Sequence, residues 1–198
     1  MLIEPVVLEG NVVRLVPLAP AHLNGLCAVG LDPELWKYTP SRVTDRAAMA
    51  RYLDAALAEQ RAGASLPFAV LQRPSGRIIG STRFCAIAVA HRRVEIGWTW
   101  LAPDVQRSGA NTEQKFLMLR HAFEHWQVQR VELKTSRLNV RSRAAIARIG
   151  AVEEGTFRRH MINDDGSVRD TVYFAITDLE WPGVRGRLHS LLAGPGTV

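Results

Sequence analysis

The 198-residue sequence carries only two cysteines, Cys27 and Cys85, both among apolar neighbours. A disulfide-stapled secreted scaffold needs a denser set, so these read as small core residues in a reducing compartment. Nor do two cysteines build a zinc site without histidines. His121 and His125 stand four residues apart, but no third ligand accompanies them, and no metal is expected. Long apolar runs are missing too. The longest, Phe84 to Ala90, is far short of the ~20 residues that span a bilayer. The start, Met1-Leu2-Ile3-Glu4-Pro5, is acidic and lacks the basic segment of a secretory signal. Repeats and low-complexity tracts are absent. These absences leave a cytoplasmic protein with no membrane role as the expectation.

What is present is ordinary for a globular domain: 47% hydrophobic and 22% charged residues, enough to bury a core without staples. Lys and Arg exceed Asp and Glu by 25 − 19, a net charge of +6, which favours an anionic partner. The basic residues form no long run or recognition motif, so specific nucleic-acid binding is not expected.

Hydrophobic periodicity and turn residues divide the chain into about seven strands and four helices. Asn11 to Pro17 reads as a strand, and Pro20 opens a short helix with Leu23 and Leu26. A loop from Leu31 to Ser41 holds Trp36 and Tyr38. Thr44 or Asp45 caps a helix with Met49, Tyr52, Leu53, Ala56 and Leu57 on one stripe, ending near Gly63. Strands follow at Leu66–Gln72 and, after a Pro74-Ser75-Gly76 turn, from Arg77 to about Val89, then at Val94–Leu101. A polar loop, Pro103 to Ala110, leads into a helix from Asn111 to about Gln127. Arg130–Thr135 is a strand, and Asn139–Ile149 a helix stopped by Gly150. Val152–Ile162 and Val168–Thr177 form a hairpin through Asn163-Asp164-Asp165-Gly166. This order implies an α+β (mixed α/β) single domain over residues 1–180, a mixed sheet covered by helices. Residues 181–198 form a C-terminal tail whose apolar stretch covers either the domain edge or a partner subunit.

The chemically informative segment runs from Trp98 to Glu113, a strand feeding a short polar loop that opens into a helix. The first helical turn leaves several amides unpaired and carries partial positive charge. Such an end can take a phosphate, and Gly109 lets an anion approach the backbone. The sequence matches neither a P-loop nor a dinucleotide-fold glycine pattern.

The spacing Gln106-x-x-Gly109-x-Asn111 resembles the Q/R-x-x-G-x-G/A pyrophosphate loop of the GNAT N-acetyltransferase superfamily. Glu95-Ile-Gly-Trp98, Trp100-Leu-Ala-Pro103 and Thr112-Glu113 resemble its RimJ/RimL-like branch. So do Asn139-x-x-Ser142, Ile149-Gly150-Ala151, Glu154-Gly155 and Arg169-Asp170. The resemblance covers residues 10 to 178. It implies a GNAT-like twisted sheet whose strands splay at the cofactor site, and acetyl-coenzyme A as co-substrate. Gln106, Arg107, Ser108, Gly109, Ala110, Asn111 and Thr112 would cradle the pyrophosphate. Backbone amides near Trp100 and Leu101 would hold the pantetheine arm and thioester oxygen, with Asn139 at the opening of the splay. Arg107, Arg141 and Arg143 could meet the coenzyme phosphates. Trp36 and Tyr38 would border the acceptor pocket, or anchor the core.

Two residues depart from the pattern. Asn111 replaces the usual Gly or Ala and could instead be the helix N-cap. The tyrosine that serves many members as general acid would fall near Ile146, which leaves Ser142 or water to protonate the leaving thiolate.

Strict alternation along Val94–Leu101 would place Val94, Ile96, Trp98 and Trp100 on one face and Glu95, Gly97, Thr99 and Leu101 on the other. A carboxylate in a central strand is either the base that deprotonates an ammonium acceptor or an ion-paired residue beside Arg83 or Arg92. The resulting expectation is an acetyl-coenzyme A-dependent N-acetyltransferase acting on a primary amine, such as a peptide N-terminal α-amine. Its alternatives are a small-molecule amine or antibiotic acetyltransferase and a non-catalytic coenzyme-binding module. A monomer or a homodimer fits equally.

Overall fold

In the computed structural model, which describes residues 1–73 and 75–194, a single eight-stranded sheet lies between two helical layers. Pro74 of the expected turn and residues 195–198 of the tail lie outside the described residues. The strands are β1 (Leu8–Glu9), β2 (Val13–Pro17), β3 (Leu66–Gln72), β4 (Ile78–Ala88), β5 (Arg93–Leu101), β6 (Arg130–Ser136), β7 (Val152–Ile162) and β8 (Val168–Thr177). The helices are α1 (Leu23–Gly30), α2 (Arg46–Arg61), α3 (Ala110–Arg120), α4 (Val140–Arg148) and α5 (Trp181–Ala193). The extra strand is the two-residue β1, too short to show a period. The extra helix is α5, where the sequence suggests a tail. Its Trp181, Val184 and Leu188 are buried in the main core, with the Trp181 ring stacked on Phe123 at 5.3 Å.

The sheet runs β1-β2-β3-β4-β5-β6-β8-β7 and is antiparallel except between β5 and β6. Leu26, Met49, Leu53 and Ala56 of α1 and α2 pack on one face, around Trp36 and Trp100. The other face and α3 bury the larger cluster, including Phe68, Phe84, Met118 and Leu119. Asp45, rather than Thr44, caps α2, accepting the Ala48 amide at 2.7 Å.

Two irregularities shape the centre. First, β5 and β6 are in register only at Arg93↔Arg130, Val94↔Val131 and Glu95↔Glu132. Beyond these pairs both strands continue without pairing each other, so the sheet parts into a cleft. Second, β5 carries a bulge: Ser81 pairs Trp100 and Arg83 pairs Gly97, leaving Trp98 and Thr99 opposite Thr82, with Trp98 at φ +53°. One extra residue reverses the alternation. Val94 and Ile96 share one face as expected, that of α3, but beyond the bulge Leu101 joins that side and Trp100 turns to the α1–α2 side.

Helix α3 begins at Ala110, one residue earlier than expected, and its N-cap is Gly109 at φ +84°, not Asn111. Its Glu113 carboxylate accepts the backbone amides of Asn11, Val12 and Val13 at 2.8, 2.6 and 2.7 Å. A Cβ on Gly10 would lie 2.4 Å from that carboxylate, so a larger residue there would push the carboxylate off these amides. At its far end α3 passes into a π-helical turn, His121–His125.

Candidate active site

The cleft between β5 and β6 continues as a cavity of about 520 Å³, running from the Gly109 turn to the loop around Tyr38. At the α3 end, the first intrahelical bond runs from the Glu113 amide to the Gly109 carbonyl. The amides of Ala110, Asn111 and Thr112 therefore precede the helical ladder and form an anion-attracting end. Arg107 at φ +66° and Gly109 at φ +84° are two left-handed residues in one turn. Such a turn curves backbone amides around a concavity. A Cβ on Gly109 would meet nothing within 4 Å, so the space beside it is open and glycine serves the backbone angle.

Of the residues expected at this end, Gln106, Arg107, Gly109, Asn111 and Thr112 line the cavity, whereas Ser108 and Ala110 do not. Ser108 Oγ instead donates to the Val105 carbonyl at 2.6 Å. Gln106 Nε2 donates to the Leu101 carbonyl at 3.0 Å, tying the loop to the strand end. Arg107 and Arg141 both face the cavity, while Arg143 turns away to Glu153 at 3.2 Å. Arg148 takes the place expected of Arg143: it lines the cavity and donates to Thr112 Oγ1 at 2.8 Å.

On the strand, Ala102 donates its amide to Ile79 of β4. Since successive amides of a strand alternate sides, Trp100 likewise turns its amide to β4, and Leu101 turns its own towards the cleft. Trp100 also lines the cavity, and its indole nitrogen is buried with no hydrogen-bond partner among the described residues. Opposite, Asn139 caps α4 by accepting the Ser142 amide at 3.0 Å. Ser142 lines the cavity, and Ile146, where the tyrosine would fall, follows one helical turn later.

Midway stands Glu95, only 3% exposed and lining the cavity. Its partner is neither Arg83 nor Arg92 but Lys134 of β6, with Nζ at 2.9 Å. Arg83 is occupied by Glu59 at 3.0 Å and lies over the Trp98 ring; Arg92 binds the Gln127 carbonyl. Burial opposes the charge on Lys134, but the adjacent Glu95 carboxylate outweighs it and holds the ammonium above its ordinary range. A Cβ on Gly97 would sit 2.7 Å from Glu95 Oε1, so Gly97 leaves the carboxylate its room. Lys115 of α3 reaches in from the other side, donating to Thr99 Oγ1 at 2.8 Å. Burial drives it down to about 7, although Cys85 and Glu95 favour its charge. Lys115 was invisible in sequence because it occupies a helix position that would otherwise read as surface.

At the far end Trp36 and Tyr38 both line the cavity. Trp36 is also anchored, with its indole nitrogen donating to the Gly30 carbonyl at 2.8 Å and its ring 5.5 Å from Trp100. Among the described residues no group of three His, Cys, Asp or Glu side chains could hold a metal ion. No described helix is long and apolar enough to cross a membrane.

This architecture has relatives. Residues 13–152 match the acetyltransferase (GNAT) domain family. A candidate acetyltransferase from T. thermophilus is similar over 97% of this chain and 100% of its own, with a TM-score of 0.88 and 34% identity. Mycobacterium smegmatis RimJ, solved in complex with CoA-disulfide, gives 0.79 and 26%, covering 95% of this chain and 93% of its own. YdaF of Bacillus subtilis strain 168, named a candidate ribosomal N-acetyltransferase, is 31% identical over 108 residues. That stretch is 54% of this chain and 58% of YdaF, so the match spans little more than half of that relative. Sheet order, parting strands and sequence together place the chain in the GNAT acetyltransferase family, on its RimJ/RimL-like branch.

Proposed function

We propose that the protein moves an acetyl group from acetyl-coenzyme A to a primary amine, with a peptide or protein N-terminal α-amine as the acceptor class. The observation that carries this reading is the open turn at Gly109, whose unladdered amides face a cavity that also holds Glu95. The residues present suit the coenzyme: Arg107, Arg141 and Arg148 surround the amide cluster with positive charge, as a diphosphate requires. RimJ, similar along almost its whole length, was solved with a coenzyme A derivative, which supports the same ligand here.

In this reading Leu101 offers its cleft-facing amide to the pantetheine arm or the thioester oxygen, a fixed donor that stabilises developing negative charge. The acceptor nitrogen attacks the thioester carbonyl directly, through a tetrahedral intermediate. Glu95 removes the proton from the ammonium, itself or through water, since only the neutral amine attacks. An α-amine, at ~8, yields its proton more readily than a lysine at ~10.4. The leaving thiolate takes its proton from Ser142 or from water, a tolerable arrangement for a thiol near ~8.5.

A small-molecule amine is the second acceptor class, favoured by the aromatic wall at the far end of the cavity. A coenzyme-binding module without catalysis is favoured by Asn111 beside the turn and by Ile146 standing where a tyrosine would serve. A panel of peptides and small amines, each followed by release of free thiol, separates the three. Turnover of peptide α-amines supports the first class. Turnover of small amines alone replaces it with the second. Coenzyme binding without transfer to any amine leaves the third.

A further inference from the structure

The cavity is not electrically neutral. Among the described residues its wall carries a single carboxylate, Glu95, against six basic side chains. Arg107, Arg141 and Arg148 lie at the diphosphate end, and Lys134 is paired with Glu95. Lys115 sits on α3 and donates to the Thr99 hydroxyl. That leaves Arg169 of β8, which the mechanism above does not use.

Arg169 is 6% exposed. Its Nε donates to Thr171 Oγ1 at 3.2 Å and its Nη1 to the Tyr38 carbonyl at 3.4 Å, both neutral acceptors. No carboxylate of the described residues pairs with it. Asp170, next along the chain, is held by Arg137 at 3.1 Å and by the Arg159 amide at 2.8 Å. Arg169 lines the same cavity as Glu95, Tyr38, Trp98 and Met161. Arginine buried in this way is rare unless paired, and its planar fork suits a carboxylate.

We infer that Arg169 receives a carboxylate carried by the acceptor, so that the substrate is an amine bearing an acid group, its ammonium at Glu95 and its carboxylate at Arg169. This rests on the acetyltransferase reading and narrows it. Two sources share that chemistry: a free α-amino acid, for which Trp98 and Met161 provide an apolar wall, and a peptide with an acidic residue next to its α-amine. Burial depresses the charge on Arg169, while the field of Glu95 sustains it. A carboxylate at the fork adds the counter-charge that the protein itself withholds. Polyamines and lysine side chains, which bring only positive charge, are disfavoured by the same arrangement.

The test compares matched acceptors with acetyl-coenzyme A: phenylalanine against phenylalaninamide, and the C-terminally amidated peptide Ala-Glu-Ala against Ala-Gln-Ala. The expected result is a kcat/KM at least about tenfold higher for the acid member of at least one pair, as for a charge-assisted hydrogen bond. In Arg169→Gln that ratio falls at least about fivefold from its wild-type value, the comparison with wild type cancelling the unequal basicity of the paired amines, while the KM for acetyl-coenzyme A is unchanged, and Arg169→Lys keeps part of the preference. The arm that shows the preference identifies the source. An acid-to-neutral ratio left unchanged by Arg169→Gln in both pairs overturns the inference while leaving the acetyltransferase reading intact. If no amine is turned over, that reading fails instead. Calorimetry on the coenzyme A-loaded protein then decides: phenylalanine binding about tenfold tighter than its amide supports the Arg169 site, and equal or absent binding overturns it. Should Arg169→Gln fail to fold, the wild-type ratio and Arg169→Lys decide.

Discussion

Glu95 and Lys134 meet at 2.9 Å across the two strands that part to form the cleft. The carboxylate is buried and the ammonium only partly so, which leaves Glu95 oriented by a neighbour that water can also reach. In Glu95→Gln the side chain keeps its shape but cannot take a proton. Turnover is expected to fall at least tenfold with acetyl-coenzyme A affinity unchanged, as steady-state kinetics beside a binding titration would show. Equal loss of both, or of neither, removes Glu95 from the role of base.

Losing Lys134 instead strands a carboxylate with little exposure. Lys134→Met is expected to cost about 2–3 kcal/mol at pH 7, below the range for a fully buried pair because Lys134 is partly exposed. Its ammonium is held above the ordinary range in the folded state. The wild-type contribution is therefore complete below the unfolded value of ~10.4 and is lost as pH rises through the folded one. Urea unfolding at pH 7 and pH 11 should show the gap between the two proteins closing at the higher pH.

Lys115 behaves in the opposite sense. Burial lowers it to about 7, so between that value and ~10.4 the unfolded chain holds more protons than the folded one. Wild-type stability due to this group thus rises with pH over that window. Lys115→Met should stabilise the fold most at pH 6 and progressively less towards pH 10. A pH-independent difference between the two proteins would contradict this.

Glu113 is a structural counterpart to Glu95. It collects three consecutive backbone amides, each worth about 1.5–3 kcal/mol when the acceptor is charged, though less than additively. Glu113→Gln is expected to lower stability by about 2–4 kcal/mol in denaturant unfolding. A loss below about 0.5 kcal/mol would show that the contact contributes little.

Much of this was legible because it is local. Asn163-Asp164-Asp165-Gly166 marked the β7–β8 turn, where Gly166 takes φ +79° and Asp165 accepts the Ser167 amide. Gly109 before a helix marked the amide cluster for the same reason. The bulge at Trp98 was not legible. Nothing in Trp-Thr-Trp demands a left-handed residue there, and the extra residue is imposed by pairing with β4. It overturned the alternation drawn through Trp98 and Trp100. Arg169 and Lys134 were also out of reach as a pocket pair. Their placement depends on β8 pairing β6 and on the Tyr38 carbonyl, 131 residues from Arg169 in sequence. Asn111 was plausible as a cap by residue type, yet the αL geometry of Gly109 claimed that position first.

The account depends most on the turn at Gly109. Isothermal titration of coenzyme A, and of a pantetheine fragment lacking the diphosphate, into wild type and Gly109→Ala tests it directly. The added methyl meets no protein atom; it strains φ, at a cost of about 1–2 kcal/mol, and enters the open space in which the diphosphate would sit. Coenzyme A should bind wild type well, bind Gly109→Ala at least tenfold more weakly, and bind far more tightly than the fragment. Equal affinity for both proteins, or for both ligands, would contradict the diphosphate cradle.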